Sequence, residues 1–143
     1  MPLKAGQLLN FTDPPRENGR AHAWFPRAEE QLTAIAALAR GWDSNGAAPP
    51  EDTTIHGAMS LLLSLCDDPD LPQPHIHPTR SGGVQFEWES GDPYFEIEVH
   101  GERAATYFYS DDSTGEETSG TIFEEESLVI LLFFIQRIFP RPK

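Results

Sequence analysis

The stretch Val84-Gln85-Phe86-Glu87-Trp88-Glu89-Ser90-Gly91-Asp92-Pro93-Tyr94-Phe95-Glu96-Ile97-Glu98-Val99 decides the fold. Apolar and polar residues alternate with a period of two on both sides of Ser90-Gly91-Asp92-Pro93, the pattern of two half-buried strands joined by a hairpin loop of four residues. The pattern also sets the register. With Glu89 opposite Tyr94, Trp88 faces Phe95, Phe86 faces Ile97 and Val84 faces Val99. The same pairing sets Glu87 against Glu96 and Gln85 against Glu98. One face is apolar throughout and the other is acidic.

Downstream, Ala104 to Tyr109 reads as a third strand, with Ala105, Tyr107 and Tyr109 on one side and Thr106 and Phe108 on the other. The polar turn Asp111-Asp112-Ser113-Thr114-Gly115-Glu116-Glu117 leads to a short fourth strand at Thr118 to Phe123. Upstream, His75 to Thr79 offers another strand before Ser81-Gly82-Gly83. Together these form an antiparallel meander of three to five strands over residues 75–123. Glu124 to Phe139 reads as a helix, opened by three Glu, closed by Arg137 and stopped by Pro140, as helix-dipole and proline rules expect. Its centre, Val129 to Ile135, is apolar all round, so neighbours must cover most of it. A buried strand is the competing assignment for that run.

Before the meander lies a helical pair at 27–66. Arg27 to Arg40 carries an apolar stripe of Leu32, Ile35, Ala36, Leu38 and Ala39, with Glu29 and Glu30 in the first turn, Arg40 in the last and Gly41 as cap. Gly41-Trp42-Asp43-Ser44-Asn45-Gly46-Ala47-Ala48-Pro49-Pro50 is a fixed loop. The second helix runs from about Glu51 to Cys66 and ends at Asp67-Asp68-Pro69. Residues 1–26 read as an irregular arm that Leu8, Leu9, Phe11, Trp24 and Phe25 pin to the body. The fold class is therefore α+β: a single domain over 1–143, with two N-terminal helices, the meander, and a C-terminal apolar helix packed on the sheet.

The 143 residues carry a net charge of −13. Thirteen acids and one base, Arg103, fall between Glu87 and Glu126, so twelve of the thirteen net charges lie in that stretch. A field this concentrated steers partners and repels nucleic acid, and the dispersed basic residues make no nucleic-acid patch. Cys66 is the one cysteine, so no internal disulfide forms; it reads as a buried small hydrophobe. Met1 to Phe11 has no signal-peptide layout and Leu128 to Ile135 is far short of a membrane span, which predicts a cytoplasmic protein with no membrane association.

Two segments carry a resemblance. Gly41 to Pro49 is similar to the Gly-Trp-Asp-Gly/Ser-x-Gly-Ala-x-Pro segment of a widespread group of small bacterial proteins, and Ser81-Gly82-Gly83-Val84-Gln85-Phe86-Glu87-Trp88 is similar to the Asp/Ser-Gly-Gly-Ile/Val-x-Leu/Phe-Glu-Trp segment downstream in that group. The likeness covers about residues 30 to 100. It implies an accessory protein of mobile or defence-associated gene sets, and carries over no active site.

Each candidate site has a structural alternative. Glu87, Glu89, Glu96 and Glu98, with Asp111, Asp112, Glu116 and Glu117, form the expected partner-binding surface. Alternate carboxylates on a strand stand roughly 6.5–7 Å apart, close to the phosphate spacing of one nucleic-acid strand. The alternative is a solvated face that confers solubility and blocks edge aggregation. Trp42 and Asp43 read as loop structure, with Trp42 plugging the core and Asp43 bonding the backbone near Asn45 and Gly46. His75 and His77 share a strand face, yet nothing fixes a third ligand, so no metal is expected. The paired carboxylates lack the cleft that glycoside hydrolysis needs. The acidic turn lacks EF-hand spacing, and no nucleophile motif or phosphate loop is present. These readings predict a non-catalytic acidic protein without cofactors that occludes a basic, nucleic-acid-handling partner protein. The alternative is a structural subunit that docks or homodimerises through its C-terminal helix. An enzyme built on a carboxylate pair or the His75/His77 strand is the third reading.

Overall fold

The computed structural model describes residues 23–65, 71–101, 104–122 and 127–140. Within them, helices α1 (Phe25–Ala36) and α2 (Asp52–Leu65) precede a five-stranded antiparallel sheet, and helix α3 (Ser127–Ile138) follows it. The strands are β1 (His75–Pro78), β2 (Val84–Glu89), β3 (Pro93–Val99), β4 (Ala105–Asp111) and β5 (Glu116–Ile122), in the order β1-β2-β3-β4-β5. The architecture is α+β with a meander, as the sequence predicts. No helix among the described residues is long and apolar enough to cross a membrane.

The β2–β3 register is the one the alternation dictates, from Val84 opposite Val99 to Glu89 opposite Tyr94. Pro93 already belongs to β3, opposite Asp111, which leaves Ser90-Gly91-Asp92 as a three-residue loop closed by Ser90 N–H donating to Pro93 O at 3.3 Å. Gly91 takes the positive φ of 71° that this tight reversal requires. The third and fourth strands are longer than their sequence boundaries, reaching Asp111 and starting at Glu116, so the turn between them shrinks to Asp112–Gly115.

The helix ends differ more from expectation. α1 starts at Phe25 because Pro26, in its first turn, has no N–H to lose and a φ suited to a helix. Glu29 and Glu30 therefore fall in the second turn. The helix stops at Ala36, where Ala37 and Leu38 N–H groups reach back only three residues, to Ala34 O and Ile35 O at 3.2 Å. Gly41, with φ 81°, thus bends the following loop rather than capping the helix. α2 begins with Asp52 in its first turn. Cys66, the residues 1–22 of the arm and Glu124 to Glu126 lie outside the described residues.

All three helices pack on one side of the sheet. Phe25, Ala28, Leu32 and Ile35 of α1 and Ile55, Ala58, Met59, Leu62 and Leu65 of α2 meet Val84, Phe86, Trp88, Phe95, Ile97 and Val99. Phe134 of α3 fixes the far half. Its ring stacks on Phe95 at 5.1 Å and packs against Tyr107 at 5.4 Å and Tyr109 at 4.9 Å. Opposite Tyr107, β5 carries Gly120, where a Cβ would lie 3.0 Å from the Tyr107 ring. α3 is not covered all round. Leu131, Phe134, Ile135 and Ile138 are buried, whereas Val129 and Phe133, four residues apart on one face, are 71% and 57% exposed.

Phe134→Ala is expected to destabilise the protein by about 3–5 kcal/mol, the range for removing a buried aromatic ring. Phe133→Ala should change stability by less than about 1 kcal/mol. Urea unfolding of both variants measures the contrast; equal losses would mean that α3 does not dock through Phe134.

Candidate functional site

Strand alternation sends every second side chain to the side of the sheet away from the helices. Three rows cross that face. One contains Glu89, Tyr94, Ser110 and Glu117; the next His75, Glu87, Glu96, Phe108 and Ser119; the third His77, Gln85, Glu98, Thr106 and Thr121. None of these residues is buried. Five are carboxylates and none is Lys or Arg.

Like charges directly opposite one another destabilise a sheet, and Glu87 stands opposite Glu96. Tyr94 relieves the conflict from the neighbouring row. Its hydroxyl lies 2.7 Å from Glu87 Oε2 and 2.7 Å from Glu96 Oε1. A phenol carries one hydrogen, so the two carboxylates share a single donor. Gln85 Nε2 donates to Glu87 Oε2 at 3.1 Å. At the strand edge, His77 Nε2 stands 3.5 Å from Glu87 Oε1. Partial burial pushes the Glu87 carboxyl up, but the Tyr94 hydroxyl, the Gln85 amide and His77 outweigh it and hold Glu87 below the usual range. Burial, followed by the two carboxylates, pushes the Tyr94 phenol well above its ordinary value.

Glu98 is held separately. Thr79 Oγ1 donates to Glu98 Oε2 at 2.8 Å and accepts from Gly83 N–H at 2.9 Å. A Cβ at Gly83 would come within 2.5 Å of Glu98 Oε2, so this tuck requires glycine there. His100 Nδ1 lies 3.8 Å from the same carboxylate. Glu89 and Glu117 are exposed and take no part in these contacts.

The acidic turn divides between the two sides. Asp111 and Glu116 pair with each other and belong to the row of Pro93, on the helix side. Asp111 Oδ1 accepts from Ser113 N–H at 2.9 Å and Ser113 Oγ at 2.6 Å, which closes the turn. Glu116 accepts from the Arg137 guanidinium of α3, which also lies 5.1 Å above the Tyr109 ring. Of the eight expected partner-binding residues, Glu87, Glu89, Glu96, Glu98 and Glu117 share the open face, Asp112 is exposed at the turn, and Asp111 and Glu116 hold structure. Tyr94 is the organising residue that the sequence reading passed over, although its parity placed it on the acidic face.

His75 and His77 lie on the β1 edge of the same face, opposite Glu87 and Gln85. Among the described residues, no three His, Cys, Asp or Glu side chains converge on a common point.

The loop at 41–49 and the turn at 79–83 form one unit. Asp43 Oδ1 accepts from Asn45 N–H at 2.8 Å and Ala47 N–H at 3.0 Å, and its Oδ2 accepts from Arg80 Nε at 2.7 Å. Arg80 O accepts from Ala48 N–H at 3.1 Å, and Arg80 NH2 donates to Asn45 O at 2.9 Å. Partial burial pushes the Asp43 carboxyl up, but the two N–H groups and Arg80 prevail and hold it low. Trp42 does not enter the core. It is half-buried, and its indole N–H donates to Ala48 O at 3.0 Å. Both residues build the loop; Arg80, which locks it, has no signal in the local sequence.

No protein-family model, curated protein or solved structure matches the chain.

Tyr94→Phe removes the shared donor and leaves Glu87 and Glu96 opposed. The expected loss at pH 7 is about 1–2 kcal/mol. The folded-state pKa of Glu87 is depressed, so its stabilising contribution is present above its ordinary value of 4.5 and lost as pH falls through the folded value. The gap between wild type and variant should therefore narrow below about pH 4.5 as the carboxylates protonate. Urea midpoints from pH 3 to 7 test this; a gap that does not change with pH would rule out the shared-proton account.

Proposed function

We propose that the open sheet face binds a basic surface of a partner protein and occludes it, the partner being one that handles nucleic acid. The observation that carries this reading is a face with five carboxylates and, among the described residues, no Lys or Arg. Where carboxylates crowd, the relief comes from Tyr94, Gln85 and Thr79, which are neutral and leave the field intact. Such a field draws a cationic partner and makes association fast and salt-sensitive. The protein would act in the cytoplasm, without a cofactor or a reaction of its own, as an inhibitor or antitoxin-like neutraliser that mimics the charge of nucleic acid. The resemblance of residues 41–49 and 81–88 to accessory proteins of mobile or defence-associated gene sets supports the same reading.

A second reading has its own observation. Val129 and Phe133 expose adjacent apolar surface on α3, which favours docking or homodimerisation through that helix.

The variant that tests the first reading must leave the hydrogen-bonded acids in place. Glu89→Lys/Glu117→Lys reverses the two exposed charges without touching Tyr94 or Thr79. Retention of partners from the native host is compared for wild type and variant across a salt gradient, and association rates are then measured with the purified partner. The proposal expects release by moderate salt and an association rate about tenfold or more slower for the variant at low salt. The same partner held equally by both proteins and resistant to salt would overturn it. Light scattering of Phe133→Asp tests the second reading: a wild-type dimer that becomes a folded monomer supports α3 as the interface, and an unchanged mass removes it.

A further inference from the structure

The two edges of the sheet differ. β1 is four residues long and ends in Pro78, which has no N–H to offer a further strand. β5 is seven residues long and contains no Pro, Lys or Arg, residues that commonly blunt a free edge. Among the described residues β4 is its only neighbouring strand. Every second residue of β5 therefore turns its N–H and C=O away from the sheet. Glu117, Ser119 and Thr121 are exposed and Thr118 and Gly120 are half-buried, so solvent reaches this edge.

The flanks of the edge are chemically different. Glu117, Ser119 and Thr121 stand on the open side. On the helix side the Tyr107 ring leans over Gly120, which has no side chain to obstruct it; a Cβ there would lie 3.0 Å from the ring. Tyr107 is only half-buried. Phe133, 57% exposed, stands on the β5 flank of α3. Arg137, one turn further along, shows this placement. Its guanidinium lies 5.7 Å from the Phe133 ring and 5.1 Å from the Tyr109 ring, and it bonds Glu116 at the start of β5. The helix side thus offers aromatic surface beside the edge, and the open side offers a carboxylate and two hydroxyls.

We propose that β5 receives an added strand from the basic partner protein, a segment of alternating basic and apolar residues. Its Lys or Arg side chains face Glu117, and its apolar side chains face Tyr107 and Phe133. The proposal rests on the reading of a basic partner and states how that partner is held. Main-chain hydrogen bonds to β5 supply affinity, and the alternation supplies specificity. A second copy of the chain is a poor occupant. Its β5 has no base to set against Glu117, and it brings another thirteen net negative charges.

The test titrates the full chain with two acetylated, amidated peptides of one composition, Lys-Val-Lys-Val-Lys-Val-Lys and Lys-Lys-Val-Val-Val-Lys-Lys. Amide hydrogen exchange followed by NMR is the readout. The alternating peptide is expected to slow exchange at alternate amides of β5 in a saturable manner. The second peptide carries the same charge without the alternation and should bind about tenfold or more weaker, the effect of losing one or two main-chain hydrogen bonds. Phe133→Ser leaves the charge unchanged and should weaken the alternating peptide, with circular dichroism checking the fold. Equal binding of the two peptides with no protection of β5 overturns strand addition while leaving charge attraction to the open face intact. Binding of neither peptide overturns it as well. A dimer by light scattering whose alternate β5 amides are protected without peptide would assign the edge to a second copy and also overturn it.

Discussion

The β2–β3 pairing is the constraint on which the other parts depend. A slip of one residue would turn Phe86, Trp88, Phe95 and Ile97 outward and drive Glu87, Glu89, Glu96 and Glu98 beneath the helices. Neither arrangement is tolerable, because buried unpaired carboxylates cost far more than any packing could return. With the observed register, Phe95 presents its ring to Phe134 and α3 has a place to dock. The position of the last helix and the character of the opposite face are thus two results of one alignment.

The acidic face is stabilised in an unusual currency for a surface. Sheets commonly relieve opposed acids by interleaving Lys or Arg, which would cancel the charge. Here a phenol, an amide and a threonine hydroxyl donate hydrogen bonds and add no positive charge. Among the described residues, the guanidinium near the acid-rich turn, Arg137, bonds Glu116 on the helix side, where it ties α3 to the β4–β5 hairpin. The arrangement keeps the helix side cohesive and the open side negative. That separation suits the docking face proposed for a cationic partner.

The alternation from Val84 to Val99 made the hairpin, its register and the acidic face legible, since a period of two is a local property of the chain. The same parity argument, carried through the turn, would have separated Glu116 from Glu117 and put Tyr94 among the acids. Helix ends were less legible. Pro26 suits a first turn as well as it suits a break, and the apolar residues beyond Ala36 continue the stripe into a turn. Trp42 looked like a core residue on hydrophobicity, but its indole N–H finds a carbonyl at the loop rim instead.

The lock between Asp43 and Arg80 joins two loops that are 37 positions apart in the chain. Gly82, with φ 91°, lets the second loop run so close to the first that a side chain there would touch Pro49 O at 3.4 Å. The two loops therefore form a single part split across the sequence. Grafting one of them alone into another scaffold would part Asp43 from Arg80, whereas moving both together would carry a finished joint.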